Sequence, residues 1–332
     1  MASQRLSGLG AVPPLGEWFE ALTALMNGGD PPVERFGEGE VIVRAGDAAD
    51  LFFVILSGTA AVLGSSADEL AIDVEPNALI GELGVLFGGT RRRTVVARSP
   101  VIAIAGTRSE LERALEDERI GSHVASVAAR RLAERVEPIP ATTSKGLRVL
   151  LHPQRPADRE LYLNALGSMS LESLRTRFFA ARRPPDAVVE RLLHIDYIDH
   201  VAWVAVAEGE GGRQLGIGRY VVSAIDATKA ELAVAIIDAY QGKGLGTLLV
   251  GALGCAAQSR GLAVLTASVL ADNRAMRAVF DRAGASWTRP DMNVAEATMP
   301  VADVAALLDT ETGGHVAAAS RAMAQAARLA DA

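Results

Sequence analysis

Apolar positions follow two different rhythms along this chain. From Phe36 to about Thr107 they come in short runs, at Glu40–Arg44, Leu51–Leu56, Thr59–Leu63, Leu70–Val74, Thr94–Ala97 and Val101–Ala105. Gly46-Asp47, Ser57-Gly58, Gly64-Ser65 and Pro76-Asn77 break the runs apart. Strand-length runs with turn residues at such spacing predict a β-roll or sandwich. One helix is expected over Arg108–Arg135. The stretch 137–146 carries Pro138, Pro140 and Gly146 and reads as a linker. The rhythm then changes. Leu232–Ile237 is continuously apolar and partly β-branched, as a buried strand is. A glycine loop follows, then Thr247–Ala257, apolar and rich in small residues, as a packed helix is. Ala263–Val269 repeats the strand pattern, and a helix follows it. The expected division is a helical segment at 1–33, a β-domain with a C-terminal helix at 34–136, the linker, an α/β domain at 147–300, and a helical tail at 301–332 that either covers the active site or caps the fold.

Composition narrows the function. A length of 332 residues suits two domains. The net charge of −7 argues against a general nucleic-acid partner. Cys255 is the sole cysteine and falls in an apolar helix, so neither a disulfide framework nor a cysteine metal site is expected. His194, Asp196 and Asp199 match no standard metal spacing, and no metal is expected. No uncharged apolar run of about 18 residues occurs, and the first residues lack a signal-peptide core. No membrane association is expected, and cytoplasm is the expected compartment.

Candidate chemistry centres on Gln241-Gly242-Lys243-Gly244-Leu245-Gly246-Thr247. A glycine loop opening a helix presents free N–H groups and the positive end of the helix dipole, which suits a pyrophosphate. A Cβ there would hold the backbone away from the phosphate oxygens. No Gly-Lys-Ser/Thr ends the loop, so it is not a P-loop. The glycine spacing is not that of a dinucleotide fold, and Glu231 precedes the loop instead of following it. Gln241, Gly244 and Gly246 resemble the Gln/Arg-x-x-Gly-x-Gly/Ala signature of the GNAT acetyltransferases. The order strand, Asn273, helix with Phe280, then Gly284, resembles that family's ending. This resemblance covers roughly 147–300 and implies an α/β GNAT fold with a central mixed sheet. It also implies acetyl-CoA held by Val234, Ala235, Ile236, Ile237, the loop Gln241–Thr247, Asn273 and Arg277.

The β-domain carries a second motif, Gly81-Glu82-Leu83-Gly84 followed by Arg91-Arg92-Arg93-Thr94-Val95. It resembles the phosphate cassette of cyclic-nucleotide-binding domains. The residue types suit the task, since a carboxylate at Glu82 accepts from a ribose hydroxyl and an arginine fork clamps a cyclic phosphate. Backbone N–H groups of Gly81–Gly84 add to the anion site. Thr90 stands where the family has proline, and Arg92 and Arg93 where it has small residues. Which of the three arginines takes the phosphate stays open. Arg92, Thr94 and Arg131 complete the candidate set, with cAMP or cGMP as ligand.

A cyclic-nucleotide domain ahead of a GNAT domain resembles the cAMP-regulated protein lysine acetyltransferases of mycobacteria and related actinobacteria. That implies a protein substrate with a reactive lysine, for which the family points to acyl-CoA synthetases. It also implies cAMP control, with a hinge near Val136–Gly146. A lysine amine of pKa ~10.4 is neutral in about one molecule in 2500 at pH 7, so something must take its proton. Glu231, heading the strand before the loop, is the candidate general base, and partial burial there would suit the role. His200 and Asp199 are candidates for orienting substrate or base, or for a structural role. Two alternatives remain from the sequence. One is a GNAT enzyme acting on a small amine, with acidity from Asp186, Glu190, Asp196 and Asp199. The other is a non-catalytic regulator that responds to cyclic nucleotide.

Overall fold

The computed structural model describes residues 32–64, 72–209, 212–289 and 292–328, with Leu22 and Met26. The helical segment expected at 1–33 otherwise lies outside the described residues, as do the first residues of the run Leu70–Val74. The chain forms two compact units, one over Met1–Ala128 with Arg328–Ala332 and one over Ala129–Ala327.

In the first unit, strands β1 (Val33–Phe36), β2 (Val41–Val43), β3 (Leu51–Ser57), β4 (Ala60–Val62), β5 (Ile72–Val74), β6 (Leu79–Ile80), β7 (Val95–Ala97) and β8 (Val101–Thr107) make two four-stranded antiparallel sheets. Their orders are β1-β8-β3-β6 and β2-β7-β4-β5. β3 shows why its apolar run is unbroken. Phe53 and Ile55 enter one core cluster with Val95, Val101 and Ala103, while Phe52, Val54 and Leu56 enter another with Leu111 and Val124. Side chains alternate across a strand, so both faces of β3 are buried. Between β6 and β7 lies a short helix, α1 (Glu82–Phe87).

The helix expected over 108–135 is two helices, α2 (Arg108–Leu115) and α3 (Glu118–Glu134). A capping box starts α2: Glu110 N–H donates to Thr107 Oγ1 at 3.4 Å, and Thr107 N–H to Glu110 Oε2 at 2.7 Å. The break follows from the tightened turn at 116–117, where Glu116 N–H reaches Arg113 C=O and Asp117 N–H reaches Ala114 C=O.

The second unit is built on one eight-stranded sheet. In chain order its elements are β9 (Ile139–Thr142), β10 (Arg148–Pro153), α4 (Arg159–Gly167), α5 (Leu171–Phe178), α6 (Asp186–Leu193), β11 (His200–Ala207), β12 (Gln214–Val222), β13 (Lys229–Ile236), α7 (Leu245–Arg260), β14 (Val264–Leu270), α8 (Arg274–Arg282), β15 (Ser286–Thr288), β16 (Val294–Pro300), α9 (Val301–Ala305) and α10 (Thr310–Ala327). The strand order is β15-β16-β14-β13-β12-β11-β10-β9. β13–β14 is its parallel pair, joined through α7. The mixed sheet matches the expectation.

The linker expected at 137–146 is a correction. Ile139–Thr142 pairs with β10, Leu151↔Ile139 through Arg148↔Thr142, and closes in the turn Thr143–Gly146. Ile139 and Ala141 point inward while Pro140 points out. Proline is tolerated on an edge strand because its missing N–H faces away from the ladder. The described part of the tail, 301–328, also gains a definite place, because α9 and α10 pack against α7. Gly251 and Gly254 permit the approach: a Cβ on Gly251 would meet Leu308 Cγ at 2.8 Å, and one on Gly254 the backbone carbon of Val304 at 2.6 Å. α7 is therefore covered by the sheet on one side and by the tail on the other. That is why Leu245–Ala257 is apolar nearly all round.

Candidate functional site

The central feature of the second unit is a fork in its sheet. β13 pairs with β12 along its length, from Val222↔Ala230 to Gly216↔Ile236. It pairs with β14 only at Lys229, Ala230 and Glu231. Beyond Glu231 the two strands part, and a cleft of about 1210 Å³ opens between Leu232–Ile236 and Ala267–Val269. Ile237 N–H bonds Leu215 C=O at 3.0 Å on the β12 side. Ladder alternation therefore turns the backbone N–H and C=O groups of Leu232, Val234 and Ile236 toward the open edge. A linear ligand bearing amides can add to that edge as a strand does.

At the far end of the cleft stands the N-terminus of α7. Gly242 has φ 71° and Gly244 has φ 87°, values that glycine adopts without strain. Gly244 is the N-cap and no side chain caps the helix. The first-turn N–H groups of Gly246 and Thr247 thus face the cleft, which those residues line. Arg282 Nη2 donates to Thr247 Oγ1 at 2.7 Å, and Arg274 lines the same mouth. The turn after β9 leans on the loop as well. A Cβ on Gly244 would meet Thr143 Cβ at 3.0 Å and Ser144 Oγ at 3.1 Å, and Ser144 and Lys145 line the cleft. Uncapped N–H groups, two arginines and a lysine at one mouth make a site for a polyanion.

Gln241 ties the loop to α5. Its Nε2 donates to Ser173 Oγ at 2.8 Å and to Ile236 C=O at 3.1 Å. The Asp238 carboxylate accepts from Ser170 N–H at 3.0 Å, Ser170 Oγ at 2.5 Å and Ser173 Oγ at 2.9 Å. Burial works to raise the Asp238 pKa, but the bonds from Ser170 and Ser173 hold it below the ordinary carboxylate value. Across the cleft mouth, Arg175 Nη2 donates to Asp272 Oδ2 at 2.8 Å and to Glu172 Oε1 at 2.9 Å.

Most of the residues singled out in the sequence converge here. Glu231, Val234, Ala235, Ile236, Gln241, Gly242, Gly244, Gly246, Thr247 and Asn273 all line the cleft. Glu231 is exposed, not partly buried, because it sits where the fork opens. Asn273 caps α8, accepting from Met276 N–H at 3.1 Å. Four residues are placed otherwise. Leu245 is buried in the first turn of α7, and Ile237 turns away from the cleft, with its N–H in the ladder. The Lys243 ammonium lies 4.6 Å from the Tyr240 ring centroid. The Arg277 guanidinium lies 4.9 Å from the Trp287 ring, since helical phase turns position 277 off the face shown by Met276, Val279 and Arg282. His200 and Asp199 do not line the cleft. His200 Nδ1–H donates to His194 C=O at 3.0 Å, and its Nε2 accepts from Arg219 Nη1 at 3.3 Å. Burial, then the Arg219 charge, push His200 down to about 4.

In the first unit the structure separates the three arginines. Arg91 is buried, donating from Nη1 to Gly81 C=O at 2.9 Å and from Nη2 to Leu51 C=O. Desolvation lowers its pKa against the pull of Asp50, Glu82 and Asp47. Arg92 is exposed, and Arg93 Nη1 reaches Leu63 C=O at 3.4 Å. Gly81 has φ 83°, and a Cβ there would collide with Arg91 Nη1. Glu82 and Leu83 are buried beside it, and Gly84 is half-buried. Thr94 Oγ1 accepts from Ala45 N–H at 3.0 Å. Arg131 stands on α3 in the stretch assigned to the second unit.

Comparison with known proteins identifies both units. The cyclic nucleotide-binding domain family matches residues 33–118, and the acetyltransferase (GNAT) domain family matches 148–286. "Acetyltransferase Pat" of Mycolicibacterium smegmatis is 39% identical over 258 residues, covering 77% of this chain and 77% of its own length. An acetyltransferase of Pseudomonas aeruginosa is 34% identical over 134 residues, covering 40% of this chain and 72% of that protein. A solved cAMP-binding acyltransferase from Mycobacterium smegmatis is 32% identical, covers 98% of both chains and has a TM-score of 0.48. With that extent of identity to Pat, and with a cyclic nucleotide-binding domain followed by a GNAT domain in its own sequence, the chain belongs to the Pat family of acetyltransferases.

Proposed function

We propose that this acetyltransferase moves the acetyl group of acetyl-CoA to the amine of a lysine on a protein, and that cAMP bound to the first unit controls the rate. The observation that carries the reading is the fork in the sheet, with Glu231 at its base and the α7 N-terminus at its end. The pantetheine arm pairs along the open edge at Val234 and Ile236. The pyrophosphate sits on the N–H groups at Gly244–Thr247, with Arg274 and Arg282 beside it. This lays the thioester near the fork, where a free N–H of the edge polarises its carbonyl. Glu231 then takes the proton of the incoming ammonium, directly or through one water. Its exposure suits a base that must meet a lysine on another protein's surface.

The cleft also favours a protein over a small polyamine. Two of the four acids that would make a polyamine pocket are engaged elsewhere. Glu190 binds Arg159 at 2.5 Å, and Asp196 accepts the N–H groups of Ile198, Asp199 and His200 at 2.9–3.0 Å. The family resemblance points to acyl-CoA synthetases as protein partners. In the first unit, Arg91 is the residue proposed to hold the cyclic phosphate, and Glu82 the ribose. The purified protein, given acetyl-CoA and lysine-bearing proteins, is expected to leave acetyl-lysine detectable by mass spectrometry. Acetylation of free polyamines but of no protein would move the assignment to small amines.

A further inference from the structure

Beside the cleft lies a second cavity that the acetyl-transfer reading does not use. It occupies about 20 Å³ on the face of β12 and β13 opposite α7, under α4 and α5. That volume admits one small polar group. Tyr162, Gln214, Arg219 and Ile237 line it, and it shares Met169, Arg177 and Ala235 with the cleft. The cavity therefore adjoins the stretch of β13 where the acyl end of the thioester lies.

Its polar lining is unusual for a filler void. Arg219 is 4% exposed and Gln214 3% exposed. Arg219 Nη1 donates to Leu192 C=O at 2.5 Å, but Arg219 Nη2 and Gln214 Oε1 have no hydrogen-bond partner among the described residues. Among those residues no carboxylate forms an ion pair with Arg219 or Arg177. Arg177 lies over the Phe178 ring at 4.9 Å, and Arg219 over the Tyr162 ring at 5.6 Å. Buried cations are ordinarily matched by anions, and an unmatched donor in such a place is costly. Burial, with Arg177 adding repulsion, pushes Arg219 down to about 10. The Gln214 amide can turn its NH₂ toward an acceptor.

Resting on the acetyl-transfer reading, we propose that this cavity is an acyl-end subsite for a carboxylate, and that the enzyme also transfers short acyl groups ending in one, such as succinyl. The tail carboxylate meets Arg219 and Gln214, with Arg177 at the entrance, while the methylenes pass between Met169 and Ala235. The transfer keeps the same balance as acetyl transfer. The thioester C–S bond breaks and an amide C–N bond forms. The ammonium gives up two protons, one ending on the CoA thiol and one leaving through Glu231 to solvent.

The test compares acetyl-, succinyl- and butyryl-CoA with one protein substrate, reading kcat/KM by intact mass. Butyryl approximates the length of succinyl without its charge. Wild type is expected to prefer succinyl over butyryl by about tenfold or more, the factor a hydrogen bond to a charged group brings. Gln214→Leu and Arg219→Leu are expected to erase that preference while acetyl transfer stays within a few-fold. Should Arg219→Leu fail to fold, the wild-type ratio and Gln214→Leu decide. Butyryl matching or beating succinyl in wild type would overturn the subsite and leave a water-filled void. Absence of acetyl transfer to any protein would overturn the protein-acetylation reading, and the subsite with it.

Discussion

At the residue scale a few groups have distinct duties. Glu231 is proposed as the base, so Glu231→Gln is expected to lower kcat by roughly 10²–10⁴-fold, with acetyl-CoA binding by calorimetry unchanged. Ser173 works by positioning, since its hydroxyl joins Gln241 on the loop to Asp238 at the start of it. Ser173→Ala is expected to raise KM for acetyl-CoA several-fold while kcat changes less, because the loop loses its tether and the base does not. His200 gives a stability signature. It titrates near 6.5 in an unfolded chain but is pushed to about 4 in the fold. Between those values the unfolded state binds more protons, so its contribution is complete above about pH 6.5 and fades as pH falls toward 4. A plot of Tm against pH for His200→Gln is expected to be flatter than wild type in that window. An unchanged slope would mean that another group sets it.

At the element scale, the parts easiest to see in the sequence are those whose pattern is local. The unbroken apolar run of β3, the strand before the glycine loop, and the small apolar residues of α7 each state their burial directly. The Gln241–Gly246 loop carries its own chemistry. What the local pattern does not state depends on partners distant in sequence. Pro138 and Pro140 suggested a linker, yet a sheet edge accepts Pro140 and the following turn supplies Ser144 and Lys145 to the cleft. Arg282 joins the polyanion mouth through helical phase, while Arg277, which the family resemblance implied as a cofactor contact, faces Trp287. Glycines mark another long-range contact. Gly254→Ala would push a Cβ into the backbone of α9, and is expected to cost about 1–3 kcal/mol, read as a lower Tm.

At the scale of the whole molecule, the chain joins a ligand-binding unit to a catalytic one, and the first is proposed to govern the second. Coupling of this kind is typically about 1–3 kcal/mol, or 5–150-fold. It is reciprocal for binding, so acetyl-CoA and cAMP are expected to alter each other's affinity by the same factor. The residue through which cAMP acts is proposed to be Arg91, the buried arginine of the three. The most direct measurement is the initial rate of protein lysine acetylation across a cAMP titration, for wild type and for Arg91→Lys. Lysine keeps the charge but loses the two-pronged fork. A saturable change of at least about fivefold is expected in wild type, displaced to much higher cAMP in Arg91→Lys. A wild-type rate that stays flat from zero to saturating cAMP would contradict it.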